Sequence, residues 1–156
     1  MFYQPPIRNL RSFKLIKKSR MVNQLREMLS EFEWSYFATF TSEEVLNERK
    51  IQFLMDRFNI SIRKFEANLF WVAEPNSDRK GFHIHALIKV NKFHPIICRN
   101  GRLEIERIWL NNLINYVGPQ RSRCMIKDYD SNLGGIIYVT KLIGKDPRVI
   151  FGITLG

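Results

Sequence analysis

The sequence predicts an α+β domain built on a central antiparallel β-sheet with flanking helices. Two hydrophobic segments with strand periodicity, 68–74 and 82–90, are joined by a polar loop that contains Pro75 and Gly81, a pattern typical of an antiparallel hairpin. Helical patterns separate the other candidate strands, which gives the order strand, helix, two strands, helix, strand, helix. The chain has 156 residues, of which 45% are hydrophobic, so it can form one domain with its own core.

The charge of the chain favours a polyanionic partner. Lys and Arg number 25 against 15 acidic residues, which gives a net charge of +10. Nucleic acid is the commonest partner of so basic a protein. The two cysteines, Cys98 and Cys124, lie far apart and fit neither a disulfide framework nor a zinc motif. No apolar run reaches the roughly 18 residues of a membrane span, and no signal peptide is evident, so we expect no membrane partner.

The N-terminal part of the chain differs in composition from the rest. Residues 1–33 predict a basic arm followed by a short amphipathic helix over 21–32, and residues 34–156 predict the main domain. Residues 1–20 carry six basic residues and no acidic one, and form either a flexible basic arm or the lead into a helix. Such an arm is either a solvated tail or a contact for a nucleic-acid backbone.

Local patterns predict the first strand and helix of the main domain. Residues 34–41 are dense in aromatic and β-branched residues, which favours a strand. Ser42 then precedes two acidic residues and an apolar stripe, so we expect it to cap a helix over 43–58.

The second half of the chain predicts two helices and one strand. A loop over 92–101 should lead into a helix over 102–116, because a proline and a glycine interrupt the loop. Residues 121–128 predict a strand. Residues 131–145 predict a helix capped by its first or second residue.

The second hairpin strand carries a candidate metal site. His83 and His85 are two residues apart, so they share one face of the strand, and the reverse face is apolar. Glu74 ends the preceding strand, where an antiparallel register can set it beside either histidine. One carboxylate and two imidazoles suit a divalent cation that keeps positions open for water or phosphate oxygens. A half-exposed histidine pair without metal is the alternative.

The predicted helix over 131–145 carries a candidate nucleophile. Tyr138 and Lys141 are one turn apart, on the side opposite to the apolar stripe. A neighbouring cation would favour the phenolate and balance phosphate charge. The alternative is a tyrosine that packs its ring and exposes its hydroxyl. The two constellations are complementary, because a metal ion that coordinates a phosphodiester makes it a better electrophile for a tyrosine.

These motifs together resemble the HUH endonucleases, and among them the single-tyrosine rolling-circle replication initiators, or Rep proteins. Residues 37–41, FATFT, resemble the first motif of the family. Residues 83–85, HIH, are similar to its histidine–hydrophobe–histidine motif, and residues 138–141, YVTK, to its YxxK motif. The three stand in the order of the family, and the resemblance spans about residues 34–145.

The resemblance implies an RRM-like, ferredoxin-like HUH nuclease fold and a protein that nicks and rejoins single-stranded or hairpin origin DNA through a covalent 5′-phosphotyrosine. It implies Tyr138 as nucleophile, Lys141 as its assistant, and Glu74, His83 and His85 as ligands of Mg²⁺ or Mn²⁺. No Walker-type GxxxxGK[ST] motif is present, so any unwinding would need a separate helicase. The implied location is the cytoplasm, or the nucleus if a eukaryotic virus encodes the protein.

Two other functions fit part of the pattern. A single-tyrosine insertion-sequence transposase is also an HUH enzyme, but such enzymes typically take the third ligand from the tyrosine helix, whereas Glu74 lies upstream. A non-catalytic RRM-like nucleic-acid-binding protein would carry stacking aromatics on the sheet face where the histidines are predicted. Metal-dependent covalent attachment to a single-stranded oligonucleotide would separate the enzymes from the binding protein.

Overall fold

The computed structural model describes the backbone of residues 10–78, 80–91, 95–119 and 122–155, and the side chains within those ranges from residue 18 onward except 95–103. In chain order the elements are α1 Leu10–Ser30, β1 Tyr36–Phe40, α2 Glu48–Ile62, β2 Ala67–Pro75, β3 Phe82–Val90, α3 Pro95–Val117, β4 Cys124–Asp128, α4 Gly135–Thr140 and β5 Ile150–Thr154. Short 3-10 turns at Arg63–Phe65 and Ser131–Leu133 precede β2 and α4. No helix in these described ranges is both long enough and apolar enough to cross a membrane.

The five strands form one antiparallel sheet in the order β4-β1-β3-β2-β5. The predicted α+β class, a central antiparallel sheet with flanking helices, is therefore confirmed. The strand β3 lies at the centre of the sheet. It pairs with β2 along its whole length, from Ala67 opposite Val90 to Pro75 opposite Phe82.

Helices cover both faces of the sheet. The helices α2 and α3 bury one face, where Phe40 stacks on Trp109 at 4.4 Å between ring centroids and meets Phe58 edge-on at 5.4 Å. All three of these rings are fully buried. The aromatic cluster anchors the main core of the domain.

The helices α1 and α4 pack on the opposite face, which is the face that carries the histidines. A second apolar cluster joins them to β2 and β3; its buried members are Val22, Leu29, Trp34, Phe70, Val72, Leu87, Val139 and Ile143. Leu87 belongs to this cluster. His85 and His83 lie two and four residues before it on β3, so their imidazoles point to the same face of the sheet, beside the cluster.

Four strands lie where the sequence predicts them, and the fifth was missed. The bounds of β3 agree with the prediction; β1, β2 and β4 differ at their ends, and residue 121 at the predicted start of β4 lies outside the described residues. The missed strand β5 contains Gly152, which weakens a strand pattern. In the fold this glycine is needed, because a Cβ there would lie 2.6 Å from Nε1 of Trp71.

Two predicted helix starts were wrong. The helix α2 begins at Glu48 and is capped by Asn47, whose side chain accepts a hydrogen bond from the Lys50 amide at 2.9 Å, so Ser42 is not the cap. The helix α3 begins at Pro95, whereas a loop was predicted to continue to residue 101. Proline fits the first turn of a helix because its missing N–H has no intrahelical partner there.

The helix at the N-terminus is longer than predicted. The helix α1 covers Leu10–Ser30, whereas the apolar spacing predicted a helix over 21–32. From residue 10 onward the basic segment therefore leads into the helix, which is one of its two predicted forms. Residues 1–9 of the predicted basic arm lie outside the described residues. The proposed division at residue 33 stays a prediction.

The segment that carries the tyrosine is not one continuous helix. It forms the 3-10 turn Ser131–Leu133 and then α4, and Gly134 separates the two in a left-handed conformation with φ +64°. The side chain of Asp130 caps the first turn by accepting from the Asn132 amide, so the expected cap at residue 131 or 132 was wrong. Only glycine adopts this φ without strain, which explains the break in the predicted helix.

Candidate active site

Glu74, His83 and His85 converge on the exposed end of the β2–β3 hairpin. Glu74 lies directly opposite His83 in the strand register. Its Oε2 atom is 3.6 Å from Nε2 of His83 and 4.0 Å from Nε2 of His85. The potential ligand atoms of the three residues all lie within 4.8 Å of one another. Within the described part of the chain, this is the group of acidic, His or Cys side chains with the spacing of a metal site.

Each imidazole is oriented through its Nδ1 atom. Nδ1 of His85 lies 3.0 Å from Oγ1 of Thr39, and Nδ1 of His83 lies 3.0 Å from Oδ1 of Asn76. The amide oxygen of Asn76 can only accept, so we assign the proton of His83 to Nδ1; the Thr39 hydroxyl can accept from His85 in the same way. Nε2 of each ring then faces Glu74 with a lone pair. Histidines that bind metals are usually held by such a contact at the other ring nitrogen.

Burial leaves two polar atoms of this group without a hydrogen-bond partner. They are Nε2 of His85 and Oε1 of Glu74, and both side chains are at most 5% exposed. A buried polar atom without a partner lowers the free energy of unfolding by about 1–3 kcal/mol. A cation that bound both atoms would therefore stabilise the folded protein. The mixture of carboxylate and imidazole donors fits a divalent cation.

The electrostatics of His85 also suit a metal ligand. Burial is the main cause that lowers the pKa of His85 from 6.5 to about 3, and electrostatic interactions with His83 and Lys141 lower it further. The imidazole is therefore neutral at physiological pH. A histidine must be neutral to donate a lone pair to a cation.

The helix α4 brings Tyr138 against this group. Its ring lies 5.0 Å from the His85 ring and 6.0 Å from the Phe37 ring, measured between centroids, and meets both edge-on. Val139 is fully buried in the second apolar cluster and anchors the helix, whereas Tyr138 is 45% exposed. The nucleophile candidate is therefore held in place on one side and open to solvent on the other.

Lys141 connects the tyrosine to the carboxylate. Its Nζ atom is 3.5 Å from Oε2 of Glu74 and 3.6 Å from the centre of the Tyr138 ring. Because Glu74 is almost fully buried, solvent screens this ion pair less than one on the surface. The Lys141 side chain is 36% exposed, so the ammonium can also meet an incoming phosphate.

The structure thus brings together all five residues that the sequence singled out, from β2, β3 and α4 and the turn that follows α4. The chemical roles assigned to them stay predictions. Sequence reasoning missed the supporting contacts. Thr39 carried a signal, because its place in the FATFT segment puts it on the histidine face; Asn76 carried none beyond lying in a polar loop.

A further contact that sequence reasoning missed joins α1 to α4. Nε of Arg26 donates to Oγ1 of Thr140 at 2.8 Å, and this hydroxyl donates to the Ile136 carbonyl at 2.7 Å. Thr140 is fully buried, although Tyr138 two residues earlier is exposed. The N-terminal helix therefore contributes a polar contact to the support of the tyrosine helix.

Two cavities adjoin the candidate site on opposite sides. One, of about 580 Å³, reaches His83 and continues past Asn76 towards Arg123. The other, of about 280 Å³, reaches His85 and Tyr138.

No family model matches the chain, and no curated protein matches its sequence. It is similar to a solved structure of the non-structural protein 1 N-terminal nuclease domain of minute virus of mice, with 15% identity and a TM-score of 0.31. The match covers 92% of this chain and 55% of that chain, so this chain corresponds to about half of that structure. That nuclease domain coordinates Zn²⁺ in its active-site pocket and recognises DNA at the origin of replication. A similarity this low carries no argument about the activity of the present protein.

Proposed function

We propose that the protein is a replication initiator of the single-tyrosine HUH type, which nicks and rejoins single-stranded origin DNA through a covalent 5′-phosphotyrosine. The observation that carries the proposal is the contact of Tyr138 with His85, 5.0 Å between ring centroids, where Lys141 also lies 3.5 Å from Glu74. The candidate nucleophile Tyr138, the ammonium group of Lys141 and the candidate metal ligands therefore lie next to one another. The net charge of +10 supports a DNA strand as the substrate.

The proposed reaction exchanges one phosphate ester for another. The hydroxyl oxygen of Tyr138 attacks the phosphorus atom, and the bond from phosphorus to the 3′ oxygen breaks. The phenol proton is lost, the departing 3′ oxygen gains a proton, and the 5′ phosphate remains attached to the tyrosine. Because an ester replaces an ester, a 3′-OH can attack the phosphotyrosine and reverse the step, which rejoins the strand.

We assign different roles in this reaction to Lys141 and to the three candidate metal ligands. Lys141 holds its ammonium group beside the Tyr138 ring, where it would offset the negative charge that develops on the phosphate. Glu74, His83 and His85 would hold Mg²⁺ or Mn²⁺, and the bound ion would polarise the scissile phosphate.

The geometry favours a single-stranded substrate. Tyr138 must approach one phosphodiester in line with the departing oxygen, and the stacked backbone of a duplex leaves little room beside a ring that packs on Phe37 and His85. We expect cleavage of single-stranded DNA or of an extruded hairpin, with little cleavage of linear duplex. Equal cleavage of a relaxed duplex with the same sequence would contradict this expectation.

The test of the proposal is a covalent adduct on a denaturing gel. Wild-type protein, a labelled single-stranded oligonucleotide and Mn²⁺ should give a shifted band. Tyr138→Phe removes one oxygen from a half-exposed side chain, so it should abolish the adduct and keep DNA binding. Tyr116→Phe is the matched control, because Tyr116 is similarly exposed but contacts Phe53 on α2.

Mapping the labelled peptide decides between tyrosines. Tyr129 lines the same 280 Å³ cavity as Tyr138, so it is the competing candidate on structural grounds. A nucleotide found on Tyr129 would overturn the assignment of the nucleophile. A wild-type protein that binds single strands but forms no adduct would instead be a binding protein.

A further inference from the structure

The smaller cavity beside the tyrosine, which we call the base pocket, lies between β1, β4 and the turn that precedes α4. Phe37, Met125, Lys127, Tyr129, Leu133 and Tyr138 are among the residues that line it. Its volume of about 280 Å³ lies just below the common range of small-molecule sites, roughly 300–1,000 Å³.

We infer that the base pocket binds one unpaired base of the DNA strand, that of a nucleotide next to the nicked phosphate. The inference rests on the proposed function. The pocket shares His85 and Tyr138 with the candidate active site, so a phosphate placed between these residues lies at the mouth of the pocket. The base of the adjoining nucleotide is tied to that phosphate through its sugar.

The lining matches the flat apolar faces of a base. Leu133 is 79% exposed and Met125 is 43% exposed, although both are large apolar side chains. Three aromatic rings stand beside them, from Phe37, Tyr129 and Tyr138. Stacking of a base on aromatic side chains contributes about 1–3 kcal/mol and does not require one particular base.

Three charged side chains, Lys127, Asp128 and Asp130, stand at the edge of this apolar lining. Lys127 is exposed and lies opposite Phe37 in the β1–β4 register, so both side chains point to the face that carries the pocket. A lysine there can pair with a backbone phosphate while the base enters the pocket. The edge of the pocket thus carries one cation and two carboxylates, and the Asp130 carboxylate already accepts from the Asn132 amide. A base, with apolar faces and N–H donors at its edges, fits such a lining better than a neutral lipid or an apolar peptide segment.

The experiment combines a base deletion with a side-chain deletion. The probe is a single-stranded oligonucleotide selected from a random pool by adduct formation with the wild-type protein, which also locates its nick. Each base on both sides of the nick is removed in turn by an abasic nucleotide, and Kd is measured in EDTA. We expect Kd to rise by about 5- to 150-fold at one adjoining position, the range that corresponds to stacking.

Leu133→Ala tests whether the contact that the abasic oligonucleotide loses is made in the base pocket. This side chain is mostly exposed, so its removal should not unfold the protein. The variant should raise Kd for the intact strand by about fivefold or more and have no effect on the abasic strand. Ile114→Ala, an exposed apolar residue on α3, is the control and should change neither Kd.

Each result separates the two proposals. If Leu133→Ala and the abasic change raise Kd independently, the contact is not in the base pocket. Equal increases in Kd from abasic changes at every position would also contradict the base pocket. Either result would leave the proposed nicking activity untouched. A wild-type protein that selects no adduct from the pool would overturn the proposed function, and the base pocket with it.

Discussion

The hydrogen bond between His85 and Thr39 gives a direct test of the candidate metal centre. Thr39→Val replaces one hydroxyl by a methyl group of similar size, and valine favours strands, so β1 should keep its structure. Thr39 lies opposite His85 in the β1–β3 register, and its Oγ1 atom is 3.0 Å from Nδ1 of His85. The substitution therefore removes the partner of that nitrogen and little else.

The expected effect follows from this one contact. Loss of a hydrogen bond to a metal-binding histidine typically weakens metal binding by about 10- to 100-fold, which is about 1.4–2.7 kcal/mol. The fold should lose stability as well, because Nδ1 of a buried His85 would remain without a partner, at a cost of about 1–3 kcal/mol. The loss should be smaller at saturating metal, because a bound cation stabilises the folded state.

The assay is calorimetric titration of Mn²⁺ into the wild type and two variants. Thr41→Val is the matched control, because the hydroxyl of Thr41 donates to the Arg123 carbonyl and not to a histidine. Thr39→Ser should bind Mn²⁺ nearly as tightly as the wild type. If Thr39→Val binds the ion as tightly as Thr41→Val does, the orienting role of Thr39 is wrong.

Four further predictions concern other parts of the molecule. Lys141→Ala should lower the rate of adduct formation at saturating DNA by a factor of about 10²–10³ and leave the adduct on the same tyrosine. An unchanged rate would show that Lys141 has no role in the reaction. Because the folded-state pKa of His85 is about 3 and the unfolded value is 6.5, the unfolded state binds one more proton between these values, so stability should fall as pH falls through this window. Urea titrations should show a slope of up to about 1.4 kcal/mol per pH unit that His85→Gln removes; an equal slope in the variant would refute this origin. Trp109→Ala should lower the free energy of unfolding by about 3–5 kcal/mol, measured by urea denaturation, and a loss below 1 kcal/mol would contradict its central place in the core. Arg26→Ala and Thr140→Val should each lower the adduct rate at saturating DNA without changing Kd, and the double variant should be no slower than the worse single variant; additive effects would mean that the two residues act separately.

The sheet and the convergence of the three candidate metal ligands were predictable because both depend on period-two alternation and on a local hairpin. His83, His85 and Glu74 share a face as a direct result of strand geometry and of the pairing of neighbouring strands. The positions of Tyr138 and Lys141 were predictable from helix geometry over a single turn, and that turn persists although the helix is only six residues long.

The missed features depend on contacts between distant parts of the chain. The cap of α2 is an exception, since Asn47 caps the helix through the nearby Lys50 amide; Ser42 and Asn47 are both good cap residue types, so the local pattern did not choose between them. The strand β5 forms because Gly152 admits the Trp71 ring, which no local pattern indicates. The bond from Arg26 to Thr140 spans 114 residues, and neither residue carries a local signal for it.

The register of the central hairpin has a consequence for the order in which the site forms during folding. Asn76 and His83 are only 7 residues apart in the chain, whereas Thr39 and His85 are 46 apart. Closing a short loop is fast and costs little entropy, so hairpin closure alone sets Glu74 opposite His83. On a ribosome these residues emerge before α4 is made. The half of the site that would capture a cation can therefore assemble first, and the half that would attack DNA is added to it later.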